Sequence, residues 1–324
     1  MSTLVLRVDG SEQIGYGHAV RCLALVQAWR DQGGSASVVC ACLPKAVRKE
    51  FIKEQVQIID LPQADSATAL MLKAFESAEW VVFDSYDLPG ATRDLARVRA
   101  PRVGMIDDFS RSVRPVDVDL LIDQNLGATE TSYASDHIGS LALGPEFALL
   151  RRCFGSPGEL RRPVDTKRLN ILVSLGGSRR PEIAKAMVRT TRVLTNLGHQ
   201  VTAVGPDFGP SDRTFNLLPQ LLPDFDLAIS AAGSTVWELL WAGVPLVAIP
   251  IAENQVPIAS HLAEVGAAEH LPVTMPDFRT ALLETAVALI NNPDRRAQMA
   301  VNGRDLVDGL GAQRAVKKMR LLTS

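Results

Sequence analysis

The sequence predicts an α/β protein built from two doubly wound parallel sheets, and three observations carry that expectation. Short apolar runs alternate with helix-length segments, the pattern of parallel strands covered on both faces. The alternation breaks across 151–168, a stretch holding Gly155, Pro157, Gly158 and Pro163, and then restarts, so the pattern occurs twice. Glycine-rich or small-residue turns join strand to helix near Gly15–Gly17, Gly176–Ser178 and Ala231–Ser234. Together these predict two Rossmann-like domains facing each other across a cleft, with binding loops at the C-terminal ends of the strands. The expected division is 1–155 and 166–305, with 306–324 as a final helix packing back on the first domain.

The elements follow from the apolar runs. In the first domain Leu4–Val8 is a strand, Ala19–Gln32 a helix, Ser37–Ala41 a strand and Lys45–Glu54 a helical segment. Val56–Asp60 is a strand, Ser66–Ser77 a helix, and Trp80–Asp84 a continuous apolar strand ending in an aspartate. Arg93–Arg97 reads as helical, and Arg102–Ile106 and Leu120–Ile122 as strands. In the second domain Leu169–Ser174, Gln200–Val204, Leu227–Ser230 and Pro245–Ile249 are strands. Helices are expected over Pro181–Leu197, Thr235–Trp241, Gln255–Val265 and Phe278–Asn291, and a charged helical segment over Asp294–Leu322.

Composition narrows the function. Of 324 residues, 47% are hydrophobic and 22% charged with a net charge of -2, ordinary values for a globular protein. There is no long basic run, so no nucleic-acid partner is expected. Cys40 and Cys42 lie one residue apart in no zinc spacing and read as reduced core thiols; no metal and no cofactor are expected. The N-terminus enters a strand carrying Arg7 and Asp9 rather than a signal peptide. No apolar run reaches the ~18 residues that span a bilayer, so a cytoplasmic protein without stable membrane insertion is expected.

Two turns carry the chemistry. Gly15-Tyr16-Gly17-His18 lets backbone N–H groups approach a phosphate at a helix start and places a histidine over whatever is bound. It has two glycines, not the three of a dinucleotide fingerprint, and its plain alternative is a tight turn with His18 capping or packing. The stretch Ser230-Ala231-Ala232-Gly233-Ser234-Thr235 can hold a diphosphate at its helix start. Glu238, one turn into that helix, can accept both hydroxyls of a ribose, or can simply favour the helix dipole. Asn254 and Gln255 can bond phosphate or sugar hydroxyls, or cap their loop.

These residues carry a resemblance. The second-half pattern is similar to the nucleotide-sugar-binding half of glycosyltransferase-B enzymes, especially the MurG-like branch. The first-half pattern, Arg7-x-Asp9 then Ile14-Gly15-x-Gly17-His18-x-x-Arg21-Cys22-Leu23, resembles the UDP-sugar hydrolases of pseudaminic acid biosynthesis and related spore-coat polysaccharide proteins. Further matches are Val82-Phe83-Asp84-Ser85-Tyr86, Ile106-Asp107-Asp108, Asp123-Gln124-Asn125, Leu143 to Arg151, and Ser174-Leu175-Gly176-Gly177-Ser178. The resemblance covers residues 4 to 265. It implies a glycosyltransferase-B-like fold and hydrolysis of UDP-2,4-diacetamido-2,4,6-trideoxy-β-L-altropyranose to UDP and free sugar, with the UDP-sugar as partner. It makes His18 the residue that activates water, places Tyr86 and Asn254 at the sugar, and makes Glu238 the ribose acid. It makes Gly15, Tyr16, Gly17 and Arg21 substrate-binding candidates, and Gly177, Ser178, Gly233, Ser234 and Thr235 the nucleotide-binding turns. Three departures stand out. Arg179-Arg180 follow Gly-Gly-Ser where many relatives place an aspartate, the segment from Pro206 to Leu222 is short, and Ala231-Ala232 replaces a glycine-richer turn.

The implied mechanism is physically coherent. N–H groups at helix starts stabilise the charge developing on a departing diphosphate. An imidazole taking the proton of water contributes ~10²–10⁴-fold, and single displacement inverts the anomeric centre. Asp9, at the end of the first strand, is a candidate to orient His18, with a turn cap as its alternative. The runner-up activity is an inverting glycosyltransferase with a hydroxyl acceptor. The basic segment Leu43–Lys53 would suit a membrane-side acceptor, but reads better as an amphipathic helix with a solvated face. A non-catalytic nucleotide-sugar sensor ranks below both, because His18 is present.

Overall fold

The computed structural model describes residues 2–63, 66–86, 90–109, 116–134, 136–155, 168–208 and 221–323. Most of 151–168, where the alternation breaks, and most of the shortened 206–222 segment, lie outside the described residues. The chain forms two compact units, Met1–Arg152 with Leu310–Ser324, and Cys153–Gly309.

The first unit runs β1 (Thr3–Val8), α1 (Gly17–Asp31), β2 (Ser35–Cys40), α2 (Lys45–Lys53), β3 (Gln57–Asp60), α3 (Ser66–Phe75), β4 (Trp80–Asp84), α4 (Gly90–Arg99), β5 (Arg102–Ile106), β6 (Asp117–Asp123) and β7 (His137–Leu143). Among the described residues these strands make one sheet in the order β3-β2-β1-β4-β5-β6-β7, every neighbouring pair parallel. The strands are apolar on both faces because helices cover both: all of β4 and four residues of β1 (Leu4, Val5, Leu6 and Val8) are buried. Val5, Val81, Phe83, Met105 and Leu121 pack with Phe75 and Ala96 in one core cluster.

The second unit runs β8 (Asn170–Ser174), α5 (Pro181–Asn196), β9 (Gln200–Val204), β10 (Leu227–Ala231), α6 (Thr235–Ala242), β11 (Leu246–Ile249), α7 (Gln255–Glu264), β12 (Ala268–His270), α8 (Phe278–Ile290) and α9 (Pro293–Leu306). Its described strands form a parallel sheet in the order β12-β11-β10-β8-β9. Ile171, Val173, Ile229 and Val247 pack there with Met187, Leu282 and Met299.

The chain returns to the first unit as α10 (Gly311–Thr323), which packs on α1. Cover by the sheet and α10 explains why α1 is buried at Ala19 and from Arg21 to Trp29 rather than along one stripe. The Arg320 guanidinium lies 3.7 Å from the centre of the Trp29 ring.

Three elements depart from the sequence expectation. The segment read as one helix over Asp294–Leu322 is two, broken at Val307–Leu310, where Gly309 takes φ +81. A Cβ there would stand 1.9 Å from the Gly155 carbonyl oxygen, so the chain passes too close for any side chain. Strand β7 has the broken pattern HIGSLAL; Gly139 allows close approach, because a Cβ would lie 2.9 Å from the Asp119 carbonyl oxygen. Strand β12 is three residues long and mostly polar. No helix among the described residues is long and apolar enough to cross a membrane.

Each sheet has one place where the strand order reverses. In the first unit the chain builds outward from β1 to β3, then resumes at β4 on the other side of β1. In the second it goes from β8 to β9, then resumes at β10 on the other side of β8. At such a point the loops leave the strand ends in opposite directions and open a crevice, the usual ligand position in open α/β sheets.

Candidate functional site

In the first unit the reversal lies between β1 and β4, and that is where His18 and Asp84 meet. The loop after β1 closes through a hydrogen bond from Gly15 N to Ser11 O at 2.7 Å, with Gly15 at φ +93. It delivers His18 as the second residue of α1. Asp84 is the last residue of β4, paired in register with Val8. His18 Nδ1 is 2.6 Å from Asp84 Oδ1, and the Asp84 side chain is fully buried while that of His18 is 14% exposed.

Arg21 sits one turn further along α1, on the same face as His18. Its Nε and Nη2 donate to the two Asp84 oxygens at 2.7 and 2.6 Å. Its Nη1 donates to both oxygens of Asp108 at 2.9 Å. Burial pushes the Asp84 carboxyl up, but the Arg21 charge and then the neighbouring His18 hold it well below the usual carboxylate range. Asp108 is likewise lowered against its own burial, chiefly by Arg21. An ionised carboxylate only accepts, so His18 Nδ1 carries the proton shared with Asp84 and Nε2 is the acceptor nitrogen. The Arg21 Nη2 contact to His18 Nδ1 at 3.2 Å is therefore a close approach between two donors.

Tyr86 donates its hydroxyl to Asp108 Oδ2 and turns its ring edge-to-face on His18, with centroids 5.0 Å apart. Burial, then the Asp108 charge, pushes its phenol up, so it stays a donor. Asn125, after β6, donates to Asp108 Oδ1 at 2.6 Å and Asp123 Oδ1 at 2.7 Å. Asp123 also accepts from Tyr133 and from Phe109 N. Three neighbouring strand ends thus deliver Asp84, Asp108 and Asp123 in a row; Arg21 joins the first two to α1, and Asn125 links Asp123 to Asp108.

Two first-unit candidates stand elsewhere than the sequence suggested. Asp9 does not orient His18: its Oδ1 accepts Ala41 N at 2.6 Å and Cys42 N at 3.1 Å, and its Oδ2 pairs with Arg7. It caps the loop after β2, because the strand end turns it toward the neighbouring strand. Arg21, taken as a substrate ligand, is 4% exposed and spends its guanidinium on the two aspartates. Asp84 and Asp108 stand within motifs to which the sequence alone assigns no role for them. Their signal was an aspartate directly after an apolar strand, and it acquires meaning only once the strand order is known. Gly15, Tyr16 and Gly17 form the turn and helix start beside His18.

In the second unit the reversal lies between β8 and β10, which pair with Ser174 opposite Ser230. Both turns therefore leave neighbouring strand ends. Gly176 takes φ +65, and its N–H donates to Ser174 Oγ at 3.1 Å. Gly177 and Ser178 complete that turn. Gly233, Ser234 and Thr235 open α6, with Ser234 at the N-cap making no side-chain cap bond. Glu238 is buried in the first turns of α6. Asn254 is the N-cap residue of α7, and Gln255 begins that helix. The Gln255 carboxamide lies across the α6 start: its Oε1 accepts Ile251 N at 3.0 Å, and a Cβ on Gly233 would lie 3.3 Å from its Nε2. Arg180 braces the turn, with its N–H on Asp207 at 2.7 Å and Nε on the Ile251 carbonyl at 3.3 Å.

Comparison with known proteins agrees with this architecture. MurG of Acinetobacter baumannii superposes over 99% of this chain and 100% of its own, at a TM-score of 0.65 and 18% identity. The fold is GT-B. Within it, residues 210–315 match the glycosyltransferase family 28 C-terminal domain. A Helicobacter pylori protein named pseudaminic acid cytidylyltransferase and UDP-2,4-diacetamido-2,4,6-trideoxy-beta-L-altropyranose hydrolase is 30% identical over 104 residues, 29% of this chain and 19% of that protein. An uncharacterized protein of Methanocaldococcus jannaschii is 22% identical over 291 residues, 76% of this chain and 55% of its own. The chain thus spans about half the length of one of these relatives and about a fifth of the other.

Proposed function

We propose that this GT-B chain is a nucleotide-sugar hydrolase that releases UDP and a free deoxy-amino sugar, with UDP-2,4-diacetamido-2,4,6-trideoxy-β-L-altropyranose as the substrate of choice. The observation that carries the reading is the His18–Asp84 contact of 2.6 Å, which leaves Nε2 of a partly exposed imidazole as acceptor. In this reading Nε2 takes a proton from water. The water oxygen bonds to the anomeric carbon, the carbon–phosphate-oxygen bond breaks, and UDP leaves with that electron pair. Asp84 meets the positive charge the ring acquires, as the carboxylate does in other His–Asp pairs. The turns of the second unit, with backbone N–H groups at helix starts, meet the charge on the diphosphate. Glu238 takes the ribose, and Tyr86, Asn254 and Gln255 contact the sugar or phosphate. The activity in the name of the Helicobacter relative supports the substrate assignment.

A second reading is favoured by the match to a glycosyltransferase family 28 domain. There a sugar or lipid hydroxyl replaces water, and His18 takes its proton instead.

Incubation with a panel of UDP-sugars without acceptor, followed by NMR, separates the two. Hydrolysis gives UDP and an inverted first-formed anomer, and His18→Ala slows release by roughly 10²–10⁴-fold. Tight nucleotide-sugar binding without release rejects hydrolysis and turns the search to acceptors.

A further inference from the structure

We propose that Asp123 is a positioning residue for His18, acting through Asp108, Arg21 and Asp84. The inference rests on the assignment of His18 as the base. Asp123 ends β6, two strands beyond Asp84 in the sheet. Its side chain accepts four hydrogen bonds, two per oxygen. Oδ1 takes Asn125 N at 3.0 Å and Asn125 Nδ2 at 2.7 Å; Oδ2 takes Phe109 N at 2.9 Å and Tyr133 OH at 2.7 Å. A neutral side chain of the same shape cannot accept all four.

The bond to Phe109 N matters most. Phe109 has φ +52, a left-handed conformation that strains a non-glycine residue. That turn follows Asp108 directly, and the bond to Asp123 holds it. Released, Phe109 relaxes to negative φ and re-aims the Asp108 carboxylate. Among the described residues Arg21 Nη1 donates to Asp108 alone, and the remaining edge of Arg21 fixes both oxygens of Asp84. A shift at Asp108 thus turns the guanidinium and moves the oxygen that holds His18 Nδ1.

Asn125 ties the same parts together. Both its amide hydrogens go to Asp108 and Asp123, and its Oδ1 is left without a donor among the described residues. The amide is oriented for the two carboxylates at the expense of its own acceptor, since the flipped amide would set oxygen against oxygen. The charged or titratable groups facing Asp123 in the described residues are Asp108 from the β5 end and Tyr133 from the turn after β6. No described cation pairs with Asp123 directly. Burial and then the Asp108 charge push its carboxyl up to about 6, so its four-acceptor form is the one present at neutral pH.

The test is Asp123→Asn in the full chain, with two independent readouts. Long-range ¹H–¹⁵N NMR reports the proton on His18 Nδ1 without any substrate. Turnover of the UDP-sugar reports kcat and KM. The expected result is a shifted or lost Nδ1–H signal of His18, a kcat lower by about 10–100-fold and a KM changed less than two-fold. An unchanged His18 signal overturns the proposal. If the wild-type chain turns over no UDP-sugar, the hydrolase reading fails, while the NMR arm still decides the positioning role. Should Asp123→Asn not fold, Tyr133→Phe, which removes one bond to Asp123, and Asn125→Ala, which removes one to Asp123 and one to Asp108, carry the same measurement. A His18 signal unmoved in both then overturns the proposal.

Discussion

Arg21 and Asp84 form a two-point ion pair, Nε to Oδ2 at 2.7 Å and Nη2 to Oδ1 at 2.6 Å, with both side chains buried. Breaking one side of such a pair leaves an uncompensated buried charge and costs about 3–5 kcal/mol. Asp84→Asn is therefore expected to lower stability by that amount in urea titration. Its amide also disrupts the His18 tautomer, and turnover of the proposed substrate should fall by roughly 10²–10⁴-fold. Near-normal turnover in a folded Asp84→Asn would remove His18–Asp84 from the mechanism.

The two ends of the acid row respond to pH with opposite sign. Asp123 stands at about 6 in the fold, above its unfolded value. Its contribution to stability is full below the unfolded carboxylate value, near ~4, and is lost as pH rises through 6. Asp84 is depressed, so its contribution is present above the unfolded value and lost as pH falls through the lowered one. Between about pH 4 and 6 the folded Asp123 binds more protons than the unfolded one, which makes its slope of stability against pH negative. Asp123→Asn should make the measured slope more positive in that window; an unchanged slope would place Asp123 at an ordinary value.

Gly33 and Gly309 both have positive φ, +78 and +81, but only Gly309 is crowded. Gly33→Ala meets open space and should cost about 1–2 kcal/mol from backbone conformation alone. Gly309→Ala drives a methyl against the Gly155 carbonyl and the Trp241 indole, and should cost roughly 1–3 kcal/mol more. Chemical denaturation of the two variants side by side checks the difference.

Arg320 covers Trp29 and hydrogen-bonds Ser2. Arg320→Ala should lower stability by about 1–2 kcal/mol. Trp29 emission should shift to the red as its ring gains water. Unchanged emission and melting would show that α10 docks without this contact.

The strands most legible in the sequence are those buried on both faces. Trp80–Asp84 and Arg102–Ile106 were readable to the residue because an unbroken apolar run has one explanation in a parallel sheet. Strand β7 was not, because it is the last described strand of its sheet and only Ala142 of its seven residues is buried. Within the site, the Gly15–His18 turn announced itself locally. The partner of His18 did not: Asp9 is nine residues away and Asp84 is 66, and the choice depends on β4 lying beside β1. Sequence distance favoured the wrong aspartate, and sheet order supplies the right one. Arg21 reads as a substrate-binding candidate because nothing local shows that two strand ends converge on it.

The chain leaves the first unit after Arg152 and re-enters it at Leu310. On the ribosome, the whole second unit emerges before α10 does. At translation rates of about 5–20 residues per second, the Trp29 face of α1 waits roughly 8–30 s for its cover. Over that interval the nascent first unit exposes an aromatic surface that the finished protein hides, so holdase chaperones have their opportunity there, and slowing synthesis across 153–309 would lengthen it.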